Sequence, residues 1–169
     1  ELSQNVREDI ELARQILESW ESKGTPSAER VLHVIVWRCR DRGFPSNYRH
    51  RLQRVMLHIQ NFYQKEMIRH GLGRRSFNLD VQPSGEMVIH KVVGHGNWRD
   101  YEKSDGNRIR EECAPILREK GIRIDQETIM IFTNLAEWDP EKKIFSHKSP
   151  YYAGGDWRKG VAWQLDSEE

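Results

Sequence analysis

The run VLHVIVW at residues 31–37 constrains the fold more than any other stretch of this chain. Four of its seven residues are β-branched and one, His33, is polar. A strand with one wet face alternates apolar and polar residues. A nearly continuous apolar run instead needs cover on both faces, as in a sheet flanked by helices. In such a setting His33 reads as a buried, hydrogen-bonded core histidine rather than a metal ligand.

A helix pattern follows at once. After the turn composition of residues 41–45 (DRGFP), Ser46 is a candidate cap. Tyr48, Leu52, Val55, Met56, Ile59, Phe62, Tyr63 and Met67 then recur at helical spacing as one apolar stripe, with Gly71 and Gly73 as the stop. A buried strand followed by an amphipathic helix opens an α/β architecture. Residues 77–81 and 86–93 flank a QPSG turn and predict a β-hairpin or two adjacent strands. Residues 104–120 predict a helix through Ile109, Cys113, Ile116 and Leu117, with Pro115 expected to kink or split it. Residues 128–133 (TIMIFT) predict a second buried strand. Residues 139–142 predict a turn with residues 143–147 as a returning hairpin partner. Residues 161–165 predict a short edge strand. Ahead of all this, residues 4–22 predict a helix with an acidic outer face, joined by linker-like residues 22–29. The expected division is therefore 1–29, an N-terminal helix and linker, and 30–169, a mixed α/β domain with a twisted sheet and two long helices.

Composition and motifs exclude several chemistries. Lys and Arg number 27 against 26 Asp and Glu, so the chain is not a globally basic nucleic-acid binder. Ten basic residues do cluster between Arg38 and Arg75. The stacking aromatics that such a surface needs belong to the apolar stripe, so nucleic acid is not expected as a partner. The longest apolar run is too short for a membrane span, and no membrane partner is expected. Cys39 and Cys113 are too few for a disulfide scaffold or a four-cysteine zinc site. There is no G-x-S-x-G elbow, no phosphate loop, no C-x-x-C and no H-E-x-x-H. His90 and His95 are the weak metal candidates, one in a strand and one in a glycine-broken loop. Sequence alone offers no third ligand for them, so no metal is assigned. Residues 149–167 have a different texture. Tyr151, Tyr152, Trp157 and Trp163 surround Gly154 and Gly155, a set that could line a peptide or glycan groove.

The segments RLQRVMLHIQNFY and SPYYAGG, with SFNLDVQPSGEMVIHKVVGHGNWRDY and ETIMIFTNLAEWD between them, resemble a family of bacterial, planctomycete-type zinc metallopeptidases. That resemblance runs from about residue 31 onward, and more loosely includes the acidic helix ahead of it. It implies a zincin-like, metzincin-type fold whose upper subdomain is a mixed twisted sheet with two long helices. It also implies an edge strand that pairs with a peptide or protein substrate, a secreted or periplasmic setting, and zinc as cofactor of a full-length member. The zinc helix of that family bears H-E-x-x-H, which this chain lacks, so catalytic residues are unknown and no ligand role carries over. The resemblance implies the non-catalytic N-terminal portion of such a protein. On it, Tyr151, Tyr152, Gly154, Gly155, Trp157 and Trp163 are the substrate-cleft candidates. The alternative is a stand-alone peptide- or glycan-binding module using the same aromatic tail.

Overall fold

The computed structural model describes residues 4, 7–8, 10–11, 14, 31–102, 105–124, 127–135, 138–139, 141–145, 153–156 and 161–165, with 138–139, 144–145, 153–156 and 161–165 by backbone alone. The chain divides into two compact units, Glu1–Arg30 and Val31–Glu169. In the first, the described residues are helical. Gln4 donates to Glu8 one turn on at 3.2 Å, and Arg14 pairs with Glu11 at 3.7 Å.

The second unit is built on the strand that the apolar run predicts. β1 (Val31–Arg38) lies between β4 (Thr128–Thr133) on one side and two short strands on the other. β2 (Asn78–Leu79) pairs with the start of β1, and β3 (Ile89–Val93) with the rest of it, both parallel. Residues 77–93 therefore do not form a simple hairpin of two long strands. The chain leaves the edge of β1 at Asp80, turns at Gly85 (φ 84°), bridges Val81 to Met87, and rejoins the same edge. Beyond β4 come β8 (Val161–Leu165), parallel to it, and β7 (Ala153–Asp156), antiparallel to β8. The expected edge strand at 161–165 is thus interior, and the edge is β7. A small separate hairpin joins β5 (Trp138–Asp139) to β6 (Ile144–Phe145), with Lys143 at φ 53°.

One helix covers each face. α1 (Tyr48–Arg69) buries Tyr48, Leu52 and Met56 against Val34, Val36, Ile89 and Phe132. α2 (Gly106–Glu119) buries Ile109, Cys113, Ala114 and Leu117 against Ile35, Trp37, Val92, Ile129 and Ile131. Successive β1 residues thus serve opposite layers, which is the period-2 alternation of a strand buried on both faces. Three local expectations change. The N-cap of α1 is Asn47, in the left-handed region at φ 52°, not Ser46. α2 runs through Pro115 as one element, because Pro115 and Glu111, whose carbonyl loses its amide partner, both lie on the exposed face. The apolar stripe of α1 is buried only at Tyr48, Leu52 and Met56, whereas Val55, Phe62 and Tyr63 are 39%, 54% and 47% exposed. No helix among the described residues is long and apolar enough to cross a membrane.

Candidate functional site

The sheet offers three places where chemistry or recognition could occur: its free edge, the carboxyl ends of its parallel strands, and their amino ends.

On the β8 side the free edge is β7. Gly154 faces Trp163 and Gly155 faces Ala162 across the β7–β8 pair. On its other side β7 has no strand neighbour among the described residues. An unpaired strand edge presents a row of main-chain donors and acceptors that an extended peptide can complete. Of the six cleft candidates, Gly154 and Gly155 therefore lie on the edge strand itself, and Trp163 lies one strand in. Tyr151, Tyr152 and Trp157 lie outside the described residues.

At the carboxyl ends, where open α/β sheets commonly bind ligands, the polar groups already satisfy one another. Glu112 accepts from Trp37 Nε1 at 3.1 Å and from the Tyr101 hydroxyl at 3.0 Å. The same hydroxyl accepts the Gly96 N–H at 2.9 Å. Burial, with the Glu112 carboxylate adding to it, pushes the Tyr101 phenol up to about 12. Cys39 is buried beside Asn134, whose Oδ1 accepts the Cys39 N–H at 3.2 Å. Burial, reinforced by Asp41, pushes the Cys39 thiol up to about 12, and burial also raises the Cys113 thiol. Neither cysteine has the lowered pKa of a nucleophile.

The amino ends differ. His33 on β1, Asp80 just after β2 and His90 on β3 offer ligand atoms that all lie within 4.8 Å of one another. The parallel registers explain the meeting. Leu32 pairs with Leu79, so the next residues, His33 and Asp80, fall side by side on the α2 face. His90 occupies the same face of β3 as Val92. The two imidazoles stand 5.8 Å apart, centroid to centroid. Glu127, just ahead of β4, accepts from His33 Nε2 at 2.8 Å. His33 Nδ1 lies 3.5 Å from Asp80 Oδ2. His33 and His90 are only 4% and 3% exposed, yet His33 Nδ1 and both ring nitrogens of His90 lack a hydrogen-bond partner. Burial, with Lys120 and His33 adding to it, holds the His90 imidazole down to about 4. His90 is therefore neutral at physiological pH.

The sequence pairing of His90 with His95 is not what the fold builds. His95 is exposed in the loop after β3 and is not part of the cluster. Sequence reasoning missed Asp80 and Glu127 altogether, and placed His33 only as a core residue. The available signal was that each of these polar residues borders or interrupts an apolar strand. The remaining described histidines, His50, His58 and His70, are exposed on or just beyond α1.

No family model matches the chain, and no curated protein is similar to it. Three crystal structures of OgpA from Akkermansia muciniphila are similar. The catalytically inactive form in complex with an O-glycopeptide (glycodrosocin) substrate has a TM-score of 0.66 and 25% identity, covering 82% of this chain and 38% of OgpA. Two crystal forms of the wild-type protein give TM-scores of 0.66 and 0.65 with 24% and 25% identity over the same shares. The present chain thus spans well under half of OgpA. These structures share its mixed α/β fold, and none is from a planctomycete.

Proposed function

We propose that this chain is the N-terminal, non-catalytic portion of a zinc metallopeptidase-like protein, supplying the sheet and the edge of a substrate cleft. The observation that carries the reading is the match of 82% of the chain to 38% of OgpA, a protein solved with an O-glycopeptide substrate. On this reading the sheet and its two helices are a zincin-like upper subdomain, and β7 is the strand that pairs with the peptide. Its main-chain groups give register and affinity without demanding a particular sequence. The side-chain-free Gly154 and Gly155 let the backbone of a modified peptide approach closely.

Catalytic zinc is expected only of a full-length protein of this kind. No H-E-x-x-H lies within these 169 residues, so the motif that would hold the catalytic metal and activate its water is not in this sequence. A secreted or periplasmic setting follows from the same family resemblance. A stand-alone peptide- or glycan-binding module would use the same edge and the aromatic residues around it.

The test uses the purified 169-residue chain, glycodrosocin and its unglycosylated counterpart. Backbone amide shifts should concentrate at Ala153–Asp156 when peptide is added, and mass spectrometry should show the peptide intact. Cleavage by this chain alone would overturn the non-catalytic assignment. Binding that leaves the β7 amides unmoved would overturn the edge-strand assignment.

A further inference from the structure

We propose that His33, Asp80 and His90 form a buried divalent-metal site, zinc by ligand chemistry, that ties the amino ends of β1 and β3 to the residue that follows β2. The proposal is independent of the peptidase reading and concerns the opposite end of the strands from the common α/β ligand site.

The argument starts from Glu127. Its carboxylate can only accept, so His33 Nε2, 2.8 Å away, carries the proton and donates. In the neutral ring Nδ1 then holds a lone pair, which faces the Asp80 carboxylate at 3.5 Å. Lone pair against carboxylate is repulsive unless a positive species lies between them. A proton on Nδ1 would satisfy His33 and Asp80. It would leave His90 with two unsatisfied buried nitrogens, and such groups are rare in folded proteins. A metal ion accounts for all three residues.

The ligand set suits zinc. Two imidazoles and a carboxylate are ordinary zinc donors. The 3.5 Å between His33 Nδ1 and Asp80 Oδ2 is close to the edge, roughly 3.3 Å, of a tetrahedron of ligands about 2 Å from zinc. The wider spacing to His90 closes by rotation of its unbonded ring and of Asp80, whose side chain is 33% exposed. The Glu127–His33 hydrogen bond is the outer carboxylate that fixes the tautomer of a metal-binding histidine. Asp80 and Glu127 bring two negative charges, against which the exposed Lys120 sets one positive charge near His90. Its three ligands come from segments up to 57 residues apart in sequence, and the His33–Glu127 bond extends that span to 94. Its role is to hold them together.

Zinc and cobalt(II) titrations of the EDTA-stripped chain test this. The wild type should bind one zinc per chain, melt at a higher temperature with zinc than without it, and show the intense visible absorption of tetrahedral cobalt. D80N and H90Q should each lose at least 100-fold in affinity. E127Q, which alters the hydrogen bond that orients His33, should lose about 10- to 100-fold. H95A should bind as the wild type does. Imidazole nitrogen NMR of the wild type decides the matter even if a variant does not fold. Zinc should shift the Nδ1 resonance of His33 together with a His90 nitrogen. Absence of stoichiometric binding, unchanged affinity in D80N and H90Q, or a His33 ring doubly protonated at saturating zinc would each overturn the site.

Discussion

Trp37 and Glu112 meet inside the molecule, the indole N–H of β1 donating to the carboxylate of α2 at 3.1 Å. Around that bond Tyr101 crosses Trp37 edge to face at a centroid distance of 4.9 Å and donates to the same carboxylate. Arg108, exposed on the preceding turn of α2, pairs with Glu112 Oε1 at 3.5 Å. The helix is therefore locked to the sheet by a buried carboxylate with partners at both oxygens.

Removing that carboxylate should be costly. Glu112→Ala leaves the Trp37 N–H and the Tyr101 O–H buried without an acceptor, at about 1–3 kcal/mol each. A loss of about 2–5 kcal/mol is expected in urea unfolding, read as a lower midpoint at unchanged slope. Glu112→Gln keeps an acceptor oxygen and should lose less than half as much. Equal losses in the two variants would show that packing, not the hydrogen bonds, holds the pair.

Gly94 is required by the same cluster. A Cβ there would run into the Trp37 ring and would stand 2.7 Å from the Tyr101 hydroxyl and 2.8 Å from Glu112 Oε2. All three are held by neighbours, so Gly94→Ala should destabilise by about 1–3 kcal/mol through overpacking. Gly43 has nothing within 4 Å of the same atom and no positive φ. Gly43→Ala should therefore be neutral or stabilise by up to about 1 kcal/mol. Thermal melts of the two variants, side by side, check both signs.

The raised pKa values of Cys39 and Tyr101 set a pH dependence. Both groups stay protonated in the folded state until about pH 12, while unfolding frees them to ionise at their ordinary values, from about pH 8.5 for Cys and about 10 for Tyr. Over that interval the unfolded state binds fewer protons than the folded one. Stability is then fully present at neutral pH and falls as pH rises from about 9 toward 12. Urea midpoints measured across that range should decline, and Tyr101→Phe should flatten the upper part of the decline. Under native conditions at pH 8 a thiol reagent should find neither Cys39 nor Cys113, and in denaturant it should find both.

The strands buried on both faces were legible because a continuous apolar run has one common physical cause. Val31–Arg38 and Thr128–Thr133 sit side by side in register, as such runs must. Position within the sheet was less legible. Nothing in VAWQL distinguishes an interior strand from an edge, because sheet order depends on crossovers that local pattern does not encode. The metal-competent cluster was illegible for the same reason. His33 and Glu127 are 94 residues apart, and only the parallel registers bring them together with Asp80 and His90.

The helix stripe shows the limit of periodicity most directly, and it can be measured. Leu52 and Phe62 both belong to the apolar stripe, but Leu52 is 1% exposed and Phe62 54%. Leu52 packs among Val34, Val36, Met56 and Phe132, where the strands of the sheet lie beneath α1. Phe62 lies more than two turns further on, where its ring stands edge-on to Tyr63 at 6.0 Å. Leu52→Ala should therefore cost about 2–5 kcal/mol, the transfer loss plus a cavity that a close-packed core does not refill. Phe62→Ser should stay within about 0.5 kcal/mol, as surface substitutions do. Chemical unfolding of the two variants at one pH gives the comparison. A loss at Phe62 approaching that at Leu52 would mean that the exposed half of the stripe is covered in solution.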